Sequence, residues 1–468
     1  MLDDFKLLIN GKLVEGDGVM DVINPATEGV VASCPRGSEK QIDLAVRSAK
    51  AALPTWSSTK IENRRSILNT IAEAIEKNAN EMASLLTAEQ GKPLNDALGE
   101  VNGTAAFFRH AAGLEFEPKV IESSGKRQIE LHRRPIGVVA AIIPWNFPLM
   151  IMAFKVPLAL LVGNTVVVKP AATTPLVTLM FAQIIADIVP AGVINVVTDA
   201  NDLGDFLTSH PDVAKISFTG STATGQKVMT SAAKSMKRFG LELGGNDPAI
   251  VLDDADPSAI AQGVFNGSFF NTGQVCLAIK RLYVHESKYD EMCEELSKLA
   301  NETIIGDGAE ESSSLGPLQN EVQYEKVKMY LDDARANGRI ISGGEVPDRL
   351  GYFIQPTIVT DMAEGTKLVD EEQFGPILPI LKYTDLDDVI RRANDTEYGL
   401  GASVWSSDRD RAKKVALQLE AGTVWINQHI DIAPHVPQAG AKNSGIGVEI
   451  SDEGLLEYTQ VQVVNEAL

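Results

Sequence analysis

Between Val138 and Leu252 the chain repeats one pattern that few folds can accept. Short runs rich in β-branched residues, Val138–Ile143, Thr165–Lys169, Val193–Val197, Lys215–Phe218 and Ala249–Leu252, are separated by stretches of helical spacing such as Pro175–Ile188 and Thr224–Lys237. A strand buried on both faces reads as a continuous apolar run. Parallel neighbours need a long crossover between them, which is usually a helix. Strands alternating with helices therefore predict a parallel, doubly wound sheet.

The alternation resumes at Arg281–Val284, with a helix over about Tyr289–Thr303 and further strands at Ile354–Thr360 and Thr423–Asn427. This predicts a second α/β domain. No Pro-, Gly- or Ser-rich linker divides the halves, so the boundary is placed near residue 243. Upstream, Ile9-Asn10-Gly11-Lys12 reads as a hairpin turn. Ser38 and Gln41 form a capping box ahead of Ile42, Ala45, Val46, Ala49 and Leu53. A second helix is expected over about Asn63–Ala79, with Ile67, Leu68, Ile71 and Ile75 on one face. Lys126–His132 and Tyr458–Val464 alternate apolar and polar residues and read as strands whose exposed edges need partners.

The chain has 468 residues, 44% of them apolar, enough for a sizeable core. Its net charge of -21 repels nucleic acid and anionic lipid, so neither is expected as a partner. The cysteines Cys34, Cys276 and Cys293 are odd in number and widely spaced, which fits a reducing compartment and neither disulfides nor zinc. No metal site is expected. The most apolar stretch, Val138 to Val168, is interrupted by Pro144, Asn146, Pro148, Lys155, Pro157 and Asn164, which argues against a membrane span. The first residues lack a basic segment followed by an apolar one, so a cytoplasmic location is expected.

Several side chains could carry chemistry. Cys276 follows Asn271-Thr272-Gly273-Gln274-Val275, a turn able to present a thiol; the competing reading is inert packing, which is also the reading for Cys34 and Cys293. Glu242 lies between Leu241 and Leu243 and before two glycines; burial would raise its pKa toward that of a general base, while a solvated strand end is the alternative. Asn146, in Pro144-Trp145-Asn146-Phe147-Pro148, is either a rigid oxyanion donor or a turn residue capping its own backbone. Phe218-Thr219-Gly220-Ser221 joins a strand to a helix, an order that can seat a phosphate at the helix N-terminus. Lys169 ends a strand at the edge where open α/β sheets bind ligands, or is simply a solvated strand end.

Taken together these segments resemble the aldehyde dehydrogenase superfamily. The matching pieces are Pro144–Pro148, Val168-Lys169-Pro170, Phe218–Ser221, Glu242–Gly245, Gly273–Cys276 and Glu371-Glu372-Gln373-Phe374-Gly375-Pro376, in the family's order and over nearly the whole chain. The resemblance implies two doubly wound α/β domains and a small β oligomerisation arm. Residues 1–121 and 136–243 would form the Rossmann-like NAD(P)-binding domain, 244–443 the catalytic domain, and 122–135 with 456–468 the arm of a homodimer or homotetramer.

The resemblance also implies roles. Cys276 would attack an aldehyde and Asn146 would hold the oxyanion. Glu242 would activate water to hydrolyse the resulting thioester, with Lys155 a supporting residue near the centre. Lys169, Gly220, Ser221, Glu372, Phe374, Trp145 and the position of Ala172 would contact NAD or NADP; Phe147, Val275, Leu277 and Gln438 would line the substrate pocket. A CoA-acylating relative would usually lack the base that Glu242 supplies, and a non-catalytic relative would have lost Cys276 or Asn146. Two positions depart from the family pattern. Ala172 stands where many NAD-preferring relatives carry Glu, so NADP is expected to be accepted. Gln438 stands where a tunnel Phe is usual, with His429, Asp431 and His435 just before it, so a polar aldehyde is expected, unless those side chains face solvent or a subunit interface.

Overall fold

The structure, a computed structural model, describes residues 4–468. Its first sheet has eight strands, in the spatial order Lys12–Val14, Leu7–Ile9, Ile194–Val196, Thr165–Lys169, Val138–Ile142, Val213–Thr219, Arg238–Glu242 and Gly445–Ile446. The five from Ile194–Val196 to Arg238–Glu242 are parallel, as the apolar runs predict. The N-terminal hairpin adds antiparallel strands at one edge and Gly445–Ile446 closes the other. The hairpin turn holds Asn10 at φ 54° and Gly11 at φ 71°, the left-handed pair that matches strand twist in a two-residue turn.

A second sheet of seven strands runs Arg339–Ser342, Thr357–Thr360, Ile377–Tyr383, Ile279–His285, Asp247–Val251, Gly401–Trp405 and Thr423–Ile426, parallel except at Arg339–Ser342. The chain passes from one sheet to the other through Leu243–Asn246.

Helices follow their local signals. Ser38 and Gln41 make both hydrogen bonds of the capping box, and the helix Glu39–Ser58 buries Ile42, Ala45, Val46 and Ala49 against the first sheet's core. The helix expected over Asn63–Ala79 is Ile61–Lys77, with Leu68, Ile71 and Ile75 buried. Two further helices, Ala79–Gln90 and Leu94–Gly113, were not anticipated; their interiors hold Gly, Thr and polar residues that blur the periodicity. The apolar stretch after residue 138 is a strand, a turn, the buried helix Pro148–Leu161 and another strand. Among the described residues no helix is long and apolar enough to cross a membrane.

The two amphipathic edge segments find each other. Arg127–Pro135 pairs antiparallel with Thr459–Ala467 over its full length, from Pro135 opposite Thr459 to Arg127 opposite Ala467, and Lys119–Ser123 adds a third strand. Part of the partner demanded by the sequence is thus within the chain, while Val461, Val463 and Val464 stay exposed.

Candidate active site

The strands Val138–Ile142 and Val213–Thr219 are parallel neighbours, yet the chain builds outward from them in opposite directions. The crevice beyond their carboxyl ends is the switch point at which open α/β sheets bind ligands. Pro144, Trp145 and Asn146 leave the first strand there, and Thr219, Gly220 and Ser221 leave the second. Both segments line a cavity of about 170 Å³ that Glu242, Gly244, Cys276, Glu372 and Phe374 complete.

The loop before Cys276 is strained and over-determined. Asn271 (φ 50°) and Thr272 (φ 59°) lie in the left-handed region, where a β-branched residue is rare. Such residues cost on the order of 1–3 kcal/mol and persist when neighbours fix them. Here the Asn271 side chain donates to the Asn146 carbonyl at 3.2 Å and Thr272 Oγ1 donates to the Gly316 carbonyl at 2.9 Å. The buried Gln274 amide donates to the Asn271 carbonyl at 2.9 Å and accepts from the Gln319 N–H at 2.8 Å.

Asn146 is equally fixed. One N–H of its amide donates to the Gln274 carbonyl at 3.0 Å, and its own carbonyl accepts from Lys92 Nζ at 2.9 Å. Lys92 also pairs with Glu100 at 2.5 Å, with both side chains 1% exposed. Glu100 Oε1 accepts from the N–H groups of Leu149 and Met150 at 3.0 and 3.2 Å. It thereby caps the helix Pro148–Leu161, whose N-cap residue Phe147 supplies no side-chain bond.

Glu242 ends its strand and is buried, with Oε1 lacking a hydrogen-bond partner. Burial, then the Glu449 carboxylate, pushes its pKa from 4.5 up to about 8, against the pull of Lys155. Burial, with the facing Glu242 carboxylate, also holds the Cys276 thiol well above its ordinary value. Lys155 forms an ion pair with Glu449, wholly out of solvent on the lysine side.

Across the cavity, Glu372 Oε1 accepts from the Gly245 N–H at 3.0 Å. A Cβ on Gly244 would sit 2.4 Å from Glu372 Oε2, so the carboxylate approaches this closely only past glycine. Phe374 packs edge-on against Trp145 at 5.4 Å. Ser221 caps the helix Thr222–Ala233, accepting from the Thr224 N–H. Lys169 is not a free strand end: its ammonium is paired at 2.5 Å with the fully buried Asp199 carboxylate. The Ala172 N–H donates to Asn201 Oδ1 at 3.2 Å.

Val275 and Leu277 form an apolar cluster with Ala278, Leu400 and Trp425, against which Phe147, Phe270, Cys276 and Ile430 pack. Phe147 stacks on Phe270 at 5.9 Å. Gln438 stands apart: it is buried in a short strand paired with Val448–Glu449 and does not line the cavity around Cys276. The His429 side chain faces neither solvent nor this cavity; it is fully buried and bonded to the Leu277 carbonyl at 2.6 Å, while Asp431 and His435 are exposed. Cys34 and Cys293 are buried, free thiols in the packing. Sequence reasoning missed Lys92, Glu100, Asp199, Lys280 and Glu449. Only Lys280, a charge four residues past the cysteine in an apolar run, carried a local signal.

The switch-point crevice gathers a thiol, a buried carboxylate and a rigid carboxamide at one cavity. The chain belongs to the aldehyde dehydrogenase family, whose model matches residues 13–464. It is 40% identical over 471 residues to the mitochondrial aldehyde dehydrogenase of Leishmania tarentolae, covering 99% of this chain and 95% of the relative. Among solved structures, an NAD+ complex of an aldehyde dehydrogenase from Bacillus cereus superposes with TM-score 0.97 at 36% identity, covering 99% of this chain and 97% of that one. An NADP-dependent enzyme of E. coli gives TM-score 0.97 at 38% identity, covering 100% and 99%. The protein is an enzyme that oxidises an aldehyde to the carboxylic acid with NAD(P).

Proposed function

We propose that Cys276 is the nucleophile, Glu242 the general base and Asn146 the oxyanion donor of this reaction. The observation that carries the reading is their convergence on one cavity at the switch point of the first sheet. Cys276 gives its proton up to solvent and attacks the aldehyde carbon as a thiolate, giving a thiohemiacetal whose oxyanion is met by the Asn146 amide and the Cys276 N–H. A bound nicotinamide dinucleotide supplies the hydride acceptor, and loss of hydride leaves a thioester on Cys276. Glu242 then takes a proton from water, which attacks the thioester carbon and releases the acid with the thiolate as leaving group. Lys155 holds Glu449 beside this base and acts through it.

The residues present fit the dinucleotide. The helix Thr222–Ala233 opens at Gly220 and Ser221, and the nearby Thr219 Oγ1 has no hydrogen-bond partner. Glu372 sits in a cradle that a side chain at Gly244 would fill. We assign Glu372, Phe374 and Trp145 to the nicotinamide half, Gly220 and Ser221 to the pyrophosphate, and Lys169 with the Ala172 backbone to the adenosine ribose. Residues 1–121 and 136–243 serve as the cofactor domain and 244–443 as the catalytic domain. The free outer edge of Thr459–Ala467 suits residues 122–135 and 456–468 to act as an arm joining a homodimer or homotetramer.

The substrate reading shifts with Gln438, whose burial away from the cavity removes the support for a polar aldehyde. Phe147, Val275, Leu277 and Phe270 likewise lie outside that cavity, in the apolar cluster against which Cys276 packs. Purified protein offered alkyl, aromatic and hydroxylated aldehydes, each with NAD and NADP, tests the reading. Turnover that disappears in Cys276→Ala supports it; turnover that survives that substitution overturns it.

A further inference from the structure

Beside the nucleophile lies a buried lysine that takes no part in the proposed steps. Lys280 is 1% exposed, and its Nζ donates to the carbonyls of Val275 at 2.9 Å, Cys276 at 2.7 Å and Ala278 at 3.4 Å. Its nearest carboxylate is Glu372, at 3.8 Å. A buried ammonium spent on three carbonyls of one short loop is an unusual use of a charge, because burying a cation costs several kcal/mol on the order of magnitude.

The placement has two consequences for Cys276. Every peptide here is trans, so the Cys276 N–H points opposite to the Val275 carbonyl. Tying that carbonyl to Lys280 turns the N–H away from the ammonium, toward the cavity that Cys276 lines. Among the described residues that N–H donates to nothing else. The second consequence is electrostatic. Two carboxylates face the thiol, Glu242 from its strand end and Glu372 from the opposite loop, with Glu449 behind Glu242 and Asp247 beside Gly245. Against them stand Lys155, committed to Glu449, and Lys280; His429 packs nearby and burial keeps it neutral, at about 3.

We propose that Lys280 is the positioning residue of the nucleophile, aiming the Cys276 N–H at the oxyanion and holding positive charge under the thiolate. The inference rests on the reading of Cys276 as nucleophile. Lys280 opposes the carboxylates and burial that otherwise keep the thiol protonated.

The test is the pH dependence of iodoacetamide alkylation of Cys276 in cofactor-free enzyme, with kcat and cofactor KM measured beside it. Lys280→Gln keeps a donor for the carbonyls and removes the charge; Lys280→Arg keeps the charge. The expected result is an alkylation midpoint raised by about one pH unit or more in Lys280→Gln. Its kcat falls with the thiolate fraction, on the order of tenfold, with cofactor KM held within about twofold. Lys280→Arg keeps the wild-type midpoint. A wild-type midpoint in Lys280→Gln overturns the proposal, and so does a raised midpoint in Lys280→Arg, which decides the matter if the Gln variant does not fold. Cys276→Ala separates the two readings: labelling and turnover that persist in it remove the nucleophile assignment, whatever the Lys280 variants do.

Discussion

Lys155 and Glu449, 294 residues apart in sequence, meet as a buried ion pair beside Glu242. At Glu242 the repulsion from Glu449 outweighs the attraction of Lys155, so the pair adds to burial in keeping the base protonated near neutral pH. Glu449→Gln removes the repulsion and leaves the Lys155 charge. The expected outcome is an acid shift in the rising limb of the kcat–pH profile, from a midpoint near 8 toward neutrality. Steady-state kinetics from pH 6 to 9.5 check it, and an alkaline shift would contradict the arrangement.

Stability and activity should run in opposite directions with pH. The folded pKa of Glu242, about 8, lies above its ordinary 4.5, so the folded state binds the extra proton between those values. This contribution to stability is fully present below about 4.5 and is lost as pH rises through 8. The base form needed for hydrolysis grows over the same range. Denaturant midpoints should therefore fall from pH 6 to 9 while kcat climbs. Glu242→Gln should remove only its share of the first trend, since burial also raises Glu89 to about 8 and Asp247 to about 7, and, because hydride loss precedes hydrolysis, leave a burst of one equivalent of reduced cofactor. Its steady-state rate should drop on the order of 10²–10⁴-fold. Absence of the burst would place Glu242 before the thioester.

The regular part of this fold was legible because parallel strands buried on both faces must be apolar along their length; Thr165–Lys169 has its predicted bounds. The meeting of Glu242, Cys276 and Asn146 at one cavity was legible because Gly and Pro around them announce turns. Glu449, Asp199 and Glu100 were not. Each works through a contact that folding creates across 294, 30 and 49 residues respectively, and a carboxylate in a polar stretch looks the same whether it ends up in solvent or under a helix. Gln438 lies outside the cavity for a related reason: its pairing with Glu449 is set by the fold and not by its neighbours in sequence.

The Lys92–Glu100 pair supports Asn146 from behind, and breaking it should be costly. Lys92→Met leaves a carboxylate buried without its cation, a loss on the order of 3–5 kcal/mol. It also removes one of the two donors to the Asn146 carbonyl, leaving Asn271, and removes the ammonium lying 3.7 Å over the Phe147 ring. Urea unfolding should show the stability loss, and kcat should fall with it. Asn146→Ala should lower kcat on the order of 10²–10³-fold with little change in stability. Equal stability in wild type and Lys92→Met would show that the pair does not carry this load.

On the proposed assignment of Lys169 to the adenosine ribose, cofactor choice should turn on Lys169 and Asp199. Ala172 places no carboxylate in position to repel a 2′-phosphate, so NADP should be used alongside NAD. The Lys169 charge, however, is already met by Asp199 at 2.5 Å, which leaves little attraction for a further phosphate. Asp199→Asn keeps an acceptor for the Leu203 N–H, which Asp199 Oδ2 binds at 2.9 Å, while releasing the lysine's charge. The ratio of kcat/KM for NADP over NAD should then rise on the order of tenfold, about 1.4 kcal/mol. Calorimetric titration with each dinucleotide, without aldehyde, should show the same shift in binding. No turnover with NADP at millimolar concentration in the wild type, together with an unchanged ratio in Asp199→Asn, would mean that the ribose is read by groups other than these two.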